Sequence, residues 1–140
     1  MKRILVGVDG SPESRKAAEL AARIASSTQS GLDLAHVLPD IAYEAPGMAA
    51  LPRQEQVERT DWAHLMLSEM SASVPSPLTP VETSLLEGSP AYRLAEEAKR
   101  DEIWLVVVGH RGRGAVQRVL LGSTADRLVQ VCPKPVMVVR

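Results

Sequence analysis

Residues 103–124 read IWLVVVGHRGRGAVQRVLLGST, an apolar run that leads into a glycine-rich segment. The run from Ile103 to Val108 is typical of a parallel strand that is buried on both faces of a sheet. Gly109 ends the run, and Gly122-Ser123-Thr124 precedes a new apolar pattern with helical spacing. A buried strand, a glycine-rich connection and a helix in this order are typical of an α/β fold.

The rest of the chain repeats the alternation of strand and helix. Strands are predicted over residues 4–8, 32–38, 81–86, 103–108 and 136–139, and helices from Ser11 to about residue 26, over 53–73, over 90–98 and over 125–132. Ser11-Pro12-Glu13 is a typical helix start, with a serine cap, a proline in the first helical position and an acid in the first turn. Gly88-Ser89-Pro90 repeats that pattern. Alternating strands and helices with right-handed crossovers predict a doubly wound parallel sheet.

Length and charge restrict the class of protein. A chain of 140 residues fits one domain, here residues 1–140. A net charge of -1, from 16 basic and 17 acidic residues, argues against binding to nucleic acid or to an anionic membrane. The single cysteine, Cys132, excludes an internal disulfide framework, and Asp9 interrupts the first apolar run too early for a signal peptide. We therefore expect a cytoplasmic protein.

The glycines that follow the fourth predicted strand have the spacing Gly-x2-Gly-x9-Gly-Ser, formed by Gly109, Gly112, Gly122 and Ser123. Glycines allow close backbone approach, so that successive N–H groups can point at phosphate oxygens, and a helix start adds a second anion site. Glycine turns also occur without any ligand. Ser123 and Asp126 fit a capping box, which is compatible with either interpretation.

Asp9 follows the first predicted strand just as Gly109 follows the fourth. In doubly wound sheets, ligands bind beyond the carboxyl ends of the strands, where the strand order reverses. If these two strands are neighbours, both residues face one crevice.

The whole chain resembles the universal stress protein family, of the ATP-binding type. The glycine segment carries the resemblance, together with ILVGVDGS at residues 4–11, AHV at 35–37, LVVVG at 105–109 and CPKPVMVV at 132–139. The glycine spacing matches neither a Walker A loop nor a dinucleotide fingerprint. We expect a single doubly wound α/β domain of about five mostly parallel strands in the order 3-2-1-4-5, with helices on both faces.

The resemblance implies a site for ATP and Mg²⁺. Asp9 would bind the ribose or help to hold Mg²⁺ on the phosphates, although Asp9-Gly10-Ser11 is also a plausible turn and helix cap. The backbone of Val37 would contact adenine, and His110 stands where the family often has a small hydroxyl residue. The residues expected at the nucleotide are Asp9, Val37, Gly109, Arg111, Gly112, Gly114, Gly122, Ser123 and Thr124. We identify no catalytic residues and no dedicated metal ligands, and expect at most slow ATP hydrolysis.

Family members usually dimerise through the last strand, and Val136–Val139 forms an apolar edge that a second copy would cover. We therefore expect a homodimeric regulator of the stress response that binds ATP. Two alternatives stay open: a dimeric interaction module that does not bind ATP, and a binder of AMP or another adenine nucleotide.

Five other side chains carry minor expectations. Trp62 is expected in the core beside Met66 and Met70, and Cys132 as a buried small hydrophobic residue. The indole N–H of Trp104 needs a hydrogen-bond partner if it is buried.

Overall fold

The computed structural model describes residues 1–40, 47, 50–75, 79–112 and 121–140. Strands and helices alternate along these residues. They are β1 (Arg3–Gly7), α1 (Pro12–Thr28), β2 (Gly31–Leu38), α2 (Arg53–Ser73), β3 (Val81–Glu87), α3 (Pro90–Glu97), β4 (Ile103–Gly109), α4 (Ser123–Val131) and β5 (Val136–Val139).

The five strands form one sheet in the order β3-β2-β1-β4-β5, and every neighbouring pair is parallel. This is the predicted strand order. At the centre, Val6 of β1 pairs with Leu34 of β2 and with Val107 of β4. The chain leaves β1 toward β2 on one side, while β4 lies on the other, so the order reverses between β1 and β4. Asp9 and Gly109 therefore lie beside each other at the carboxyl edge, as the sequence predicted.

Alternation along the strands divides the core into two layers, because successive side chains point to opposite faces of a sheet. Ile4 and Val6 face α1 and α2, whereas Leu5 faces α3 and α4. Five buried alanines of α1 give that helix a smooth face that lies close to the sheet. They are Ala17, Ala18, Ala21, Ala22 and Ala25.

An ionic cluster that the sequence analysis missed lies at the amino edge of the sheet. Asp33 of β2, only 4% exposed, accepts a hydrogen bond from Nε of Arg3 on β1. Its second oxygen lies 3.1 Å from Nη1 of Arg100, which also contacts Glu97 at 2.7 Å. Glu102 pairs with Nη2 of Arg100 at 2.7 Å. The cluster joins β1, β2 and the segment after α3 at the amino edge of the sheet, whereas Asp9 lies at the carboxyl edge.

Two predictions about α4 are wrong. The helix begins at Ser123 with Gly122 as its cap, so Ser123 is not the capping residue of a capping box. Gly122 has the extended backbone of a cap (φ -63, ψ 153), which places Ser123 inside the first turn. Cys132 follows the last helical residue and is half-buried, although its side chain packs against the same core layer as Ala125 and Leu128.

Other expectations are confirmed. Oγ of Ser11 accepts a hydrogen bond from the backbone N–H of Ser14 at 3.1 Å, as a helix cap should. The indole Nε1 of Trp104 donates to Oγ of Ser30 at 3.1 Å.

Within the described ranges, none of the helices is both long enough and apolar enough to cross a membrane.

Candidate functional site

A cleft of about 1060 Å³ opens at the carboxyl edge of the sheet. Its floor is formed by the ends of β1, β2 and β4, and its walls by α2 and the starts of α3 and α4. The volume lies at the upper end of the range for small-molecule sites. The position, beside the reversal of strand order, is where doubly wound sheets bind their ligands.

Asp9 lines the cleft and has a structural role as well. Its Oδ1 accepts a hydrogen bond from the backbone N–H of Ser11 at 2.9 Å, and its own N–H faces Oγ of Ser14 at 3.3 Å. Gly10 between them has a φ of +83°, which L side chains rarely adopt. The turn that the sequence suggested is therefore present, and the carboxyl group that forms it also lines the cleft.

The three described glycines of the motif lie where a side chain has no room. A Cβ built on Gly112 would be 2.7 Å from Oδ2 of Asp9, and one on Gly109 would be 2.9 Å from the backbone carbon of Glu13. A Cβ on Gly122 would be 3.1 Å from Cα of Arg111. Bare backbone therefore surrounds this end of the cleft.

The two ends of the glycine-rich segment meet through His110. The backbone N–H of Gly122 donates to the carbonyl of His110 at 2.8 Å, and the N–H of His110 donates to the carbonyl of Val139 at 2.6 Å. The N–H and the carbonyl of His110 thus connect the end of β4 to the end of β5 and to the start of α4.

The first turn of α4 borders the cleft, because Ser123, Thr124 and Ala125 all line it. The first N–H groups of any helix lack intrahelical partners. Among the described side chains, none caps this helix by a hydrogen bond. These donors are therefore available to an anion.

The cleft brings together most of the residues that the sequence selected. Its lining includes Asp9, Val37, Gly109, Arg111, Gly112, Gly122, Ser123 and Thr124. Nη2 of Arg111 lies 3.7 Å from Oε1 of Glu13, so this arginine is held against α1. Gly114, and Arg113 beside it, lie outside the described residues.

Sequence reasoning missed the wall formed by α2. Glu55, Glu58, Arg59 and Trp62 follow one another at helical spacing and all line the cleft. Nη2 of Arg59 donates to the carbonyl of Pro39 at 3.1 Å, which ties this wall to the end of β2. The sequence did contain one signal for this wall. Along the helix, the polar stripe gives way to an apolar stripe that is buried in the structure, formed by Ala63, Met66, Leu67 and Met70.

Trp62 itself is a correction to the sequence analysis. Met66 and Met70 are buried as expected, but Trp62 is 37% exposed and belongs to the cleft wall. Its ring meets that of His36 edge to face, with centroids 5.5 Å apart and planes at 74°. Trp62 lies one turn before Met66, and the buried face of α2 begins only at Ala63.

The described residues contain no group of three or more His, Cys, Asp or Glu side chains that could hold a metal ion. The side chains that line the cleft include the carboxylates of Asp9, Glu55 and Glu58.

Comparison with known proteins gives one family over the full length. The family model described as the universal stress protein family matches residues 1–140. A universal stress protein from Mycolicibacterium smegmatis is 39% identical over 139 residues, which cover 98% of this chain and 45% of the relative. The chain thus spans about half the length of that relative. A universal stress protein from Methanocaldococcus jannaschii is 30% identical over 146 residues, covering 99% of this chain and 82% of the relative.

Solved structures share the fold. A universal stress protein from Lactobacillus plantarum superimposes with a TM-score of 0.76 at 25% identity, covering 99% of this chain and 97% of that one. A universal stress protein in complex with cAMP has a TM-score of 0.73 at 24% identity over 99% and 96% of the two chains. One from Archaeoglobus fulgidus in complex with dAMP has a TM-score of 0.69 at 19% identity over 100% and 98%.

Proposed function

Because this chain belongs to the universal stress protein family, we propose that it binds an adenine nucleotide, ATP with Mg²⁺, in the cleft at the carboxyl edge of its sheet. One observation carries the proposal most directly. Gly109, Gly112 and Gly122 lie where a Cβ would come within 3.1 Å of neighbouring atoms, and all three line the cleft. Such a bare-backbone surface beside a helix start suits a phosphate chain.

The phosphate end of the ligand would lie between Gly112 and the start of α4. Ser123 and Thr124 offer both hydroxyl and backbone donors there. Arg111, which lines the cleft and is held near α1 by Glu13, would offset part of the phosphate charge. The absence of a capping hydrogen bond from the described side chains supports this assignment, because an uncapped first turn keeps its N–H groups for an anion.

Asp9 fits the expected role at a phosphate-bound Mg²⁺. This ion binds proteins through one or two carboxylates and completes its shell with water and phosphate oxygens. Oδ1 of Asp9 is oriented by the N–H of Ser11, so the carboxyl group is fixed in the cleft. Mg²⁺ bound there would neutralise phosphate charge, and Asp9 would hold it without a larger ligand set.

The nucleoside end would lie beside Val37, whose backbone is expected at the adenine and whose side chain is buried against the second core layer. The complexes of two proteins of the same fold with cAMP and dAMP favour an adenine nucleotide with one phosphate as the second candidate. Both of these proteins are less than 25% identical to this chain, so the ligand is carried over as part of the proposal.

We place this activity in a cytoplasmic, homodimeric regulator of the stress response, with at most slow ATP hydrolysis. The four residues of β5 are all partly exposed, and among the described strands β5 pairs with β4 alone. An apolar edge of this kind favours pairing with a second copy.

Calorimetric titration of the protein, stripped of nucleotide beforehand, tests the proposal. We expect micromolar or tighter binding of ATP with Mg²⁺, and loss of that binding in Gly112→Val. Leu65→Ala, on the outer face of α2, is the control for handling and folding. Tighter binding of AMP or cAMP than of ATP would select the second candidate. Absence of heat with every adenine nucleotide would leave a dimeric interaction module.

A further inference from the structure

The side chain of Trp62 is positioned by contacts with the carboxyl edge of the sheet as well as by α2. The ring of His36, at the end of β2, meets it edge to face. Cζ2 of Trp62 would be 3.5 Å from a Cβ built on Gly10, so the turn after β1 leaves room for the indole to lie against its backbone. The indole therefore has neighbours on two sides, is still 37% exposed and lines the cleft.

His36 is itself fixed. It is 7% exposed, and its Nδ1 is hydrogen-bonded to the carbonyl of Val8 at 2.7 Å. A carbonyl can only accept, so Nδ1 carries the proton and donates it. The imidazole ring is thus held across β1 and β2, and it presents a firm edge to Trp62.

The charges on α2 indicate which end of a ligand this wall receives. Glu55 and Glu58 line the cleft from the same face as Trp62. Arg59, the cation of this stripe, donates to the carbonyl of Pro39. Two carboxylates repel phosphate groups, whereas Arg111 and the uncapped start of α4 attract them on the opposite side. The α2 wall therefore suits an uncharged, flat part of the ligand.

We propose that Trp62 is the residue on which the nucleoside part of the ligand stacks, and that His36 is the positioning residue that holds the indole for it. This inference rests on the proposed nucleotide binding and assigns one wall of that site. Every nucleobase has a π face, and stacking on an aromatic side chain contributes to affinity with little dependence on hydrogen bonding. Stacking on Trp62 would leave base selection to the backbone at Val37.

The experiment compares two ligands, ATP and inorganic tripolyphosphate, each titrated calorimetrically in the presence of Mg²⁺. Tripolyphosphate carries the same phosphate chain without a nucleoside. We expect Trp62→Leu to weaken ATP binding about 5- to 150-fold, the range for loss of one stacked base, and Trp62→Phe to lose much less. We expect His36→Leu to weaken ATP binding in the same direction. Tripolyphosphate affinity should stay unchanged in all three variants.

Fluorescence gives a second readout. Trp62 and Trp104 are the only tryptophans, and Trp104 lies against Ser30 at the amino edge of the sheet. In a Trp104→Phe background the emission comes from Trp62, and we expect ATP to quench it while tripolyphosphate does not. Leu65→Ala serves as the matched control on α2.

Three results would overturn the inference. ATP affinity unchanged in Trp62→Leu would remove the stacking role and leave the nucleotide site intact. Equal weakening of ATP and tripolyphosphate would assign Trp62 a structural role only. A natural sequence that binds no adenine nucleotide would overturn this inference together with the proposed function.

Discussion

Oδ2 of Asp9 occupies the space in which a side chain at residue 112 would begin, since a Cβ built on Gly112 lies 2.7 Å from it. The turn after β1 and the glycine-rich segment after β4 are therefore fitted to each other, although more than 100 residues of chain separate them in sequence. Residue 112 must therefore lack a side chain for the carboxyl group of Asp9 to keep its position.

This contact predicts a coupling that can be measured. We expect Gly112→Ala to lower the free energy of unfolding by about 1–3 kcal/mol, the usual cost of overpacking. In an Asp9→Ala background the same change should cost clearly less, because the obstructing carboxylate is gone. Urea unfolding of the four proteins in this double-mutant cycle gives the coupling energy. Strictly additive effects would mean that Asp9 moves aside without cost.

The ionic cluster at the amino edge predicts a strong effect of Asp33. Its carboxylate is buried between Arg3 and Arg100, so Asp33→Ala leaves the guanidinium of Arg3 without its buried carboxylate partner. We expect a loss of about 3–5 kcal/mol in the free energy of unfolding, measured in urea. Glu82→Ala is the matched control, because Glu82 also contacts Arg3, at 3.3 Å, but its side chain is 67% exposed. That change should cost less than about 1 kcal/mol, and a similar cost for both variants would contradict the prediction.

Acid stability should depend on the same cluster. Hydrogen bonds from its own backbone N–H and from Arg100 lower the pKa of Glu102 below its ordinary value of 4.5. Outside the cluster, the hydrogen bond from Lys99 lowers the pKa of Glu96. A carboxyl group with a lower pKa in the folded state stabilises the fold above its unfolded pKa and loses that contribution as the pH falls through its folded pKa. We therefore expect stability to decline below about pH 4.5.

The variant that tests this dependence is Arg100→Leu. The pKa of Arg100 is raised, chiefly by its hydrogen bond with Glu97, so the guanidinium stays charged at every pH of interest. Its removal should flatten the fall in unfolding free energy between pH 4.5 and pH 3, recorded by urea titrations at fixed ionic strength. An unchanged slope would show that other carboxyl groups govern acid unfolding.

The edge strand β5 predicts different effects of proline at two neighbouring positions. Pro135 and Val139 present their carbonyls to β4, where they accept from Val106 and His110. By alternation Met137 also faces β4, whereas Val138 turns its N–H to the outer edge. We expect Val138→Pro to keep the fold and convert a dimer to a monomer in analytical ultracentrifugation, because the outer N–H is lost. Met137→Pro should instead destabilise the monomer itself. A monomeric natural protein would refute the edge pairing.

Most element boundaries could be predicted because their signals are local, whereas the strand order followed from the resemblance to a known family. Buried runs such as Ile103–Val108 and the Ser11-Pro12 helix start determine their own structure. The site was only partly predictable. Asp9 and Gly112 can be selected by their place after strands, but Trp62 lines the cleft because the buried face of α2 begins only at Ala63, which depends on tertiary packing.

The capping error has a related physical cause. Ser123 and Asp126 satisfy the spacing of a capping box, yet Gly122 accepts the first helical hydrogen bond, from the N–H of Asp126 at 2.9 Å. The hydrogen bond from Gly122 to His110 sets where the helix begins, and no local pattern encodes it. The Asp33 cluster was missed for the same reason, since its members come from β1, β2 and the region after α3.

The role of His110 in joining β4, β5 and α4 belongs to its peptide groups alone. Nineteen of the twenty genetically encoded amino acids supply the same N–H and carbonyl, and only proline lacks the N–H. Residue 110 can therefore be replaced by any amino acid except proline without loss of these two backbone hydrogen bonds. A histidine here, in place of a small hydroxyl residue, is compatible with an intact site, and the substitution that selection would remove is proline.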